Sequence, residues 1–199
     1  MSGTKDNVKA LHEAGLHYLV HGKRPARGNW EAEFAAGGFV PVPGRDGASE
    51  VQVKTVDIPP EGADGWPERA LLCRSVGRRE KEGAIFSKAE DRLAADLERL
   101  SRRVGKKRMD TAALLDQAVG RLRERHPRVA RFYDISTIAA DGKLSLAWTR
   151  LADSAGAAED LLGCYVLRTD RSDIEGERFW RLYMTLRPPR TVSVRSSAS

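Results

Sequence analysis

The 199-residue chain has little of several things. There are two cysteines, Cys73 and Cys164, each isolated in an apolar run, so a Cys-x-x-Cys zinc or redox site is excluded and a disulfide-dense secreted scaffold with it. Buried reduced thiols are the favoured reading, and a bridge between the two stays open. No apolar run approaches the roughly 20 residues that span a bilayer, and the start lacks the charged-then-apolar order of a secretory signal. The expected location is cytoplasmic, with no membrane partner. There is no glycine-rich phosphate loop followed by Lys-Ser/Thr, which argues against a nucleotide hydrolase. Aromatics make up 7% of the chain, and Trp30, Trp66, Trp148 and Trp180 are so scattered that core positions suit them better than a row of base-stacking platforms.

Basic residues are in excess, 34 against 28 acidic, for a net charge of +6. That balance favours polyanionic partners such as DNA. The hydrophobic share of 41% permits one domain or two small ones.

Spacing predicts a helix from Thr4 to Ala14, with Val8, Leu11 and Ala14 on one face and Gly15 ending it in a left-handed conformation. Leu16 to Val20 then reads as a buried strand, the helix-strand half of an α/β unit that needs a parallel neighbour. Past Gly22 short β-like runs alternate with Gly, Pro and Asp: Trp30–Phe34, Gly38–Val42, Glu50–Asp57 and Arg69–Arg74. They predict an antiparallel meander. Val51, Val53 and Thr55 alternate with Gln52, Lys54 and Val56, as in a strand wet on one face and lying outside the core sheet. Ser87-Lys88-Ala89-Glu90 has capping-box spacing and opens a predicted helix to Val104. A second helix, capped by Asp110, carries Leu114, Leu115, Ala118, Val119 and Leu122 up to His126-Pro127, the pair being joined by Gly105-Lys106-Lys107-Arg108. Phe132–Ile138 and Lys143–Thr149 flank the turn dipeptide Asp141-Gly142 and predict a hairpin. Ala152–Leu162 reads as a short helix or loop.

Gly163–Asp170 is a short buried strand, followed by a capped turn and an amphipathic stretch ending Phe179-Trp180-Arg181-Leu182-Tyr183-Met184-Thr185-Leu186. This passage resembles the approach to the catalytic glutamate in insertion-sequence transposases of the DDE class. Residues 1–20, with Asn7–Gly15 leading into Leu16–Val20, resemble the segment that follows that family's second catalytic aspartate. Arg69–Ser75 with Arg78, Arg79, Glu80, Lys81 and Glu82 resembles its inserted region. The resemblance implies an α+β fold, with partial ribonuclease-H-like core elements at both ends flanking an inserted antiparallel β plus helical-hairpin subdomain. Residues 1–24 would be core helix and strand, 25–162 the insertion, 163–186 the core strand and start of the glutamate helix, and 187–199 a tail.

In that family two aspartates and a glutamate hold two Mg²⁺ ions that cleave and transfer DNA strands. The alignment places both aspartates before Met1 and the glutamate beyond Leu186, so no catalytic residue and no cofactor is carried over. The chain is expected to be an inactive fragment. The family's Tyr-x-x-Arg-x-x-x-Glu pattern is met only by Tyr183, because Leu186 stands where arginine is common. Pro188-Pro189 would stop the helix. Bases encoding Thr191–Ser196 are compatible, one nucleotide earlier, with Asp-Gly-Phe-Arg-Ser-Leu; an ordinary disordered Arg/Ser/Pro tail accounts for the same composition.

The implied partners are transposon-end DNA and possibly a full-length transposase, which the chain could regulate as a non-catalytic binder. The DNA-contact candidates are Lys23, Arg24, Arg78, Arg79, Lys81 and Tyr183. Further basic groups, Arg102-Arg103 with Lys106–Arg108 and Arg121, Arg123, Arg125, Arg128, read either as phosphate contacts or, preferentially, as helix faces balanced by Glu90, Asp91, Asp96, Glu98 and Glu124. His12, His17 and His21 read as solvent-facing rather than metal-binding, and Asp57, Asp64, Asp91, Asp96, Glu98 and Asp141 as turn or surface groups.

Overall fold

A computed structural model describes residues 5–42, 51–60, 65–106, 108–140 and 142–186. The chain is mixed α and β with an antiparallel sheet, and it divides into two units, residues 1–76 with 164–199 and residues 77–163.

The first unit contains α1 (Lys5–Glu13), β1 (Leu19–His21), a 3₁₀ turn (Arg24–Trp30), α2 (Glu31–Ala35), β2 (Val40–Val42), β3 (Val51–Ile58), β4 (Glu68–Ser75), β7 (Cys164–Thr169) and α6 (Gly176–Leu186). Helix α1 ends as its glycine predicts. Gly15 takes φ 67°, its N–H bonds to His12 O at 2.9 Å and that of Leu16 to Leu11 O at 2.9 Å, the paired bonds that satisfy a helix's last carbonyls. This closure occupies Leu16, so the strand expected over 16–20 starts only at Leu19.

Strands β2, β3 and β4 form the expected meander, and β7 adds to β4 with Leu71 opposite Leu167. β1 then pairs with the other side of β7, Leu19 opposite Thr169. The sheet order is β1-β7-β4-β3-β2 and every pairing is antiparallel. The parallel neighbour expected for β1 is therefore replaced by an antiparallel one, because apolar patterning encodes which face a strand buries and nothing about its direction. Nor does β3 lie outside the core sheet: it sits between β2 and β4, and its alternate residues Val51 and Val53 are buried with Leu71, Cys73, Tyr165 and Leu167 under Phe179 and Trp180 of α6. Gly176 lets α6 start close to β3, since a Cβ there would come within 3.2 Å of Thr55 Oγ1.

The opposite face carries Ala70, Leu72 and Val166, all buried. Helix α2 lies on this face, where Lys54 Nζ reaches Glu33 Oε2 at 2.8 Å and Arg74 donates to Phe34 O and stands 4.2 Å from the centre of the Phe39 ring. Trp30–Phe34, expected as a strand, is the end of the 3₁₀ turn and most of α2. Its two aromatics are four residues apart, a spacing that one turn of helix satisfies as well as a strand does. Cys73 and Cys164 are buried and are not joined in a disulfide. Cys73 faces Tyr165 and Cys164 faces Arg74, one step out of register, which sends the two thiols to opposite faces of the sheet.

The second unit is one continuous stretch. It comprises most of α3 (Val76–Ser101), then α4 (Ala112–Arg125), a 3₁₀ turn (Ala130–Phe132), the hairpin β5 (Tyr133–Ala140) and β6 (Lys143–Arg150), and α5 (Ala152–Asp160). Leu93, Leu97 and Leu100 pack on Leu115, Val119 and Leu122, and Ile135 and Leu146 of the hairpin close the cluster.

Helix α3 begins twelve residues before the expected start at Lys88, so the Ser87/Glu90 pair lies inside a helix and caps nothing. Glu90 instead accepts from Tyr133 Oη at 3.0 Å and Arg150 Nε at 2.9 Å. Upstream, Glu82 is buried, takes Arg78 Nε at 3.1 Å and receives the Gly163 N–H at 3.2 Å, a pairing no local pattern announces. Thr111, not Asp110, caps α4 by accepting from Leu114 N. Gly142 takes φ 69° between β5 and β6, as the hairpin requires; Asp141 and Asp64 lie outside the described residues, as does everything after Leu186.

Candidate nucleic-acid interface

The expected DNA contacts are distributed over both units. Lys23 is exposed where the chain leaves β1, and Arg24 opens the 3₁₀ turn that follows. Arg79 and Lys81 are exposed in the first turns of α3, and neither has an ion-pair partner among the described residues. Arg78 differs, since its guanidinium is held by Glu82. Within the first unit Tyr183 is half-buried beside His21 and Tyr165, with ring centroids 6.2 and 6.4 Å away. Its neighbour Trp180 donates to Tyr165 Oη at 3.2 Å, and burial drives the Tyr165 phenol well above its ordinary pKa. Tyr183 is thus first a packing residue of α6. His21 and Tyr183 come together as ring neighbours, whereas Lys81 and Arg79 belong to the other unit.

At one end of the sheet lies a polar cluster that no sequence pattern flagged. Tyr18 Oη donates to Glu68 Oε1 at 2.5 Å and accepts from Trp66 Nε1 at 2.8 Å, while Arg168 grips the other Glu68 oxygen. Burial, reinforced by Glu68, raises the Tyr18 pKa far above the usual phenol range. Asp170 receives the Tyr18 N–H at 3.2 Å and lies 3.0 Å from His17 Nδ1. His12 stacks flat on Trp66 with ring centroids 4.0 Å apart. A cleft of about 390 Å³ opens here, lined by Asp57, Glu68, Arg69, Asp170 and Ser172 among others. The cluster assembles residues from α1, β4, β7 and the segments between them, which is why it leaves no trace in local spacing.

Each of those carboxylates has a donor. Asp57 takes Arg69 Nε at 2.8 Å, and Arg69 also caps Ser172 O at 2.7 Å. The turn after β7 is closed by Arg171, whose hydrogen bond holds Asp173 down to about 2. Among the described residues no group of three His, Cys, Asp or Glu side chains could hold a metal ion, so they do not fit the paired Mg²⁺ of the family resembled. His12 and His17 are exposed, as expected, and on that surface His17 pairs with Asp170 while His12 stacks on Trp66.

Asp96, expected on a solvated helix face, is instead a junction. Its carboxylate meets His126 Nε2 at 2.9 Å, Arg99 at 3.0 Å and Arg125 at 3.3 Å, joining the end of α4 to α3. The His126 hydrogen bond, with Arg125 and Arg99, lowers the Asp96 pKa against the opposing effect of burial. Of that basic group Arg125 pairs with Asp96, one of the acids expected to balance it, whereas Arg123 and Arg121 bond to Ile135 O and Gln117, neither of them an acid.

In comparisons with known proteins, no family model, curated sequence or solved structure matches this chain.

Proposed function

We propose that the chain is part of a DDE-class insertion-sequence transposase, with ribonuclease-H-like core elements, and that it acts on DNA by binding rather than by cutting. One observation carries the reading. The two segments whose resemblance to the family's core was argued separately, Leu16–Val20 and Gly163–Asp170, are hydrogen-bonded neighbours in one sheet, and α6 returns across that sheet after a tight turn. Segments from opposite ends of a sequence have no local reason to pair, so their meeting supports a shared origin in one core. The antiparallel direction of that pair departs from the parallel neighbour expected of the family.

The side chains support binding without cleavage. Asp57, Glu68 and Asp170 are each tied to donors of the chain itself, while Lys23, Arg79 and Lys81 present exposed cations. The test is binding of fluorescent duplex DNA by the purified chain across a salt series, together with assays for nicking in Mg²⁺ and in Mn²⁺. Expected are salt-sensitive binding, weakened by Lys23→Gln with Arg79→Gln, and intact strands. Absence of binding at low salt, or metal-dependent nicking, would falsify the corresponding half of the proposal.

A further inference from the structure

Helix α3 carries a second set of cations, exposed on a single line. Lys81, Lys88, Arg92 and Arg99 all face solvent. At about 3.6 residues per turn, positions 81 and 99 stand about five turns apart at the same azimuth, and 88 and 92 fall about 20° to either side. The line is about 27 Å long, with axial steps of about 10.5, 6 and 10.5 Å. The buried row of Leu93, Leu97 and Leu100 lies about 100–160° away. Glu80, Asp91 and Glu98 form a row of their own about 80–100° to the other side. Among the described residues Lys81, Lys88 and Arg92 have no ion-pair partner. Arg99 touches Asp96, whose charge is shared with Arg125 and His126, and Arg99 remains 68% exposed.

We propose that this face of α3 binds the sugar-phosphate backbone of a duplex, DNA under the function proposed above, on which the inference rests. A straight row of flexible cations along a rigid rod matches a repeating line of phosphates. It contacts charge and not base edges, so it supplies affinity without sequence preference. A membrane surface suits it poorly: a helix lying in a bilayer needs a broad apolar face between its cations, and here only Ile85 and Ala95 lie within the stripe. This face adds Lys88, Arg92 and Arg99 to the contacts expected at Lys81, and Arg79 stands on nearly the opposite side of α3.

The experiment uses the full chain, anisotropy of two labelled duplexes of unrelated sequence, and a salt series. Lys88→Gln with Arg92→Gln is expected to weaken both duplexes alike and to make the dependence of log affinity on log salt shallower by about two, one for each lost phosphate contact. Glu80→Gln with Asp91→Gln, on the acidic row, is expected to bind as tightly as the parent or more tightly. Far-ultraviolet dichroism and thermal melting establish that each variant is folded. Lys88→Ala and Arg92→Ala, made singly, supply the same readout at about one unit each if the pair misfolds. If the stripe variants bind like the parent while Lys23→Gln with Arg79→Gln loses affinity, the stripe is overturned and the proposed function survives. If the parent binds no duplex at low salt, both fall. If anionic vesicles or an acidic polypeptide compete as well as DNA and with the same dependence on Lys88 and Arg92, the duplex assignment is overturned.

Discussion

The two units bury comparable cores by different routes. Residues 77–163 close theirs from one uninterrupted stretch, with helices and hairpin strands adjacent in sequence meeting in space. The sheet unit is assembled from two stretches, and its central pair, β4 and β7, joins residues such as Leu71 and Leu167 that lie on either side of the other unit in sequence. The contrast shows that a core made of neighbours announces itself in periodicity, whereas a core made of distant strands needs partners that periodicity does not name.

The largest expected effect tests whether the two cores fail separately. Phe179 is fully buried between α6 and the sheet, and Phe179→Ala should cost about 3–5 kcal/mol. Hydrogen exchange should then show lost protection at Val53, Leu71 and Leu167 while Leu97, Leu115 and Leu122 keep theirs. Equal loss in both sets would erase the distinction drawn above.

A smaller effect sharpens it from the helical side. Asp96→Asn removes the charge that joins α3 to Arg125 and His126 and should lower stability by about 1–2 kcal/mol, read by urea unfolding. Because the folded state lowers the Asp96 pKa below 3.8, its stabilising contribution is complete above that value and is lost as pH falls through the lower folded one. The gap between parent and variant should therefore shrink as the pH drops below about 4. A gap that stays constant down to pH 2 would show that Asp96 acts by packing alone. The smallest effect is at the α4 cap. Thr111→Ala should cost about 0.5–1 kcal/mol and leave the sheet unit unmoved, while the same change at Asp110 should be near neutral.

Local pattern went far in the second unit. Leu93, Leu97, Leu100, Leu115, Val119 and Leu122 stand where their spacing puts them, and Asp141-Gly142 marks the hairpin connection between β5 and β6. The misplaced start of α3 is instructive. Ser87 and Glu90 have the spacing of a cap, but the helix already runs past them, and Glu90 serves Tyr133 and Arg150 across the fold. In the first unit the strands β2, β3, β4 and β7 were each legible, whereas Trp30–Phe34 was not, because two aromatics four apart suit either period.

The candidate surfaces divide in the same way. The exposed cations of α3 are visible once the helix's extent is known, since azimuth follows from residue number; with the helix expected to begin at Lys88, Lys81 could not be placed on the same line as Arg92 and Arg99. The Tyr18–Glu68–Arg168 cluster and the His17–Asp170 pair had no sequence signature at all, because their members come from segments far apart in the chain.

Composition and spacing alone established a basic chain of helices and short strands, its helical hairpin, its meander and the scarcity of thiols, since each depends on nearest neighbours or simple counts. Strand direction, the pairing of β1 with β7, the separation of Cys73 from Cys164 and the engagement of the buried acids were settled by folding. Those outcomes depend on which distant surfaces fit together and on where charge can find a donor once water is excluded, and neither is written in any short run of residues.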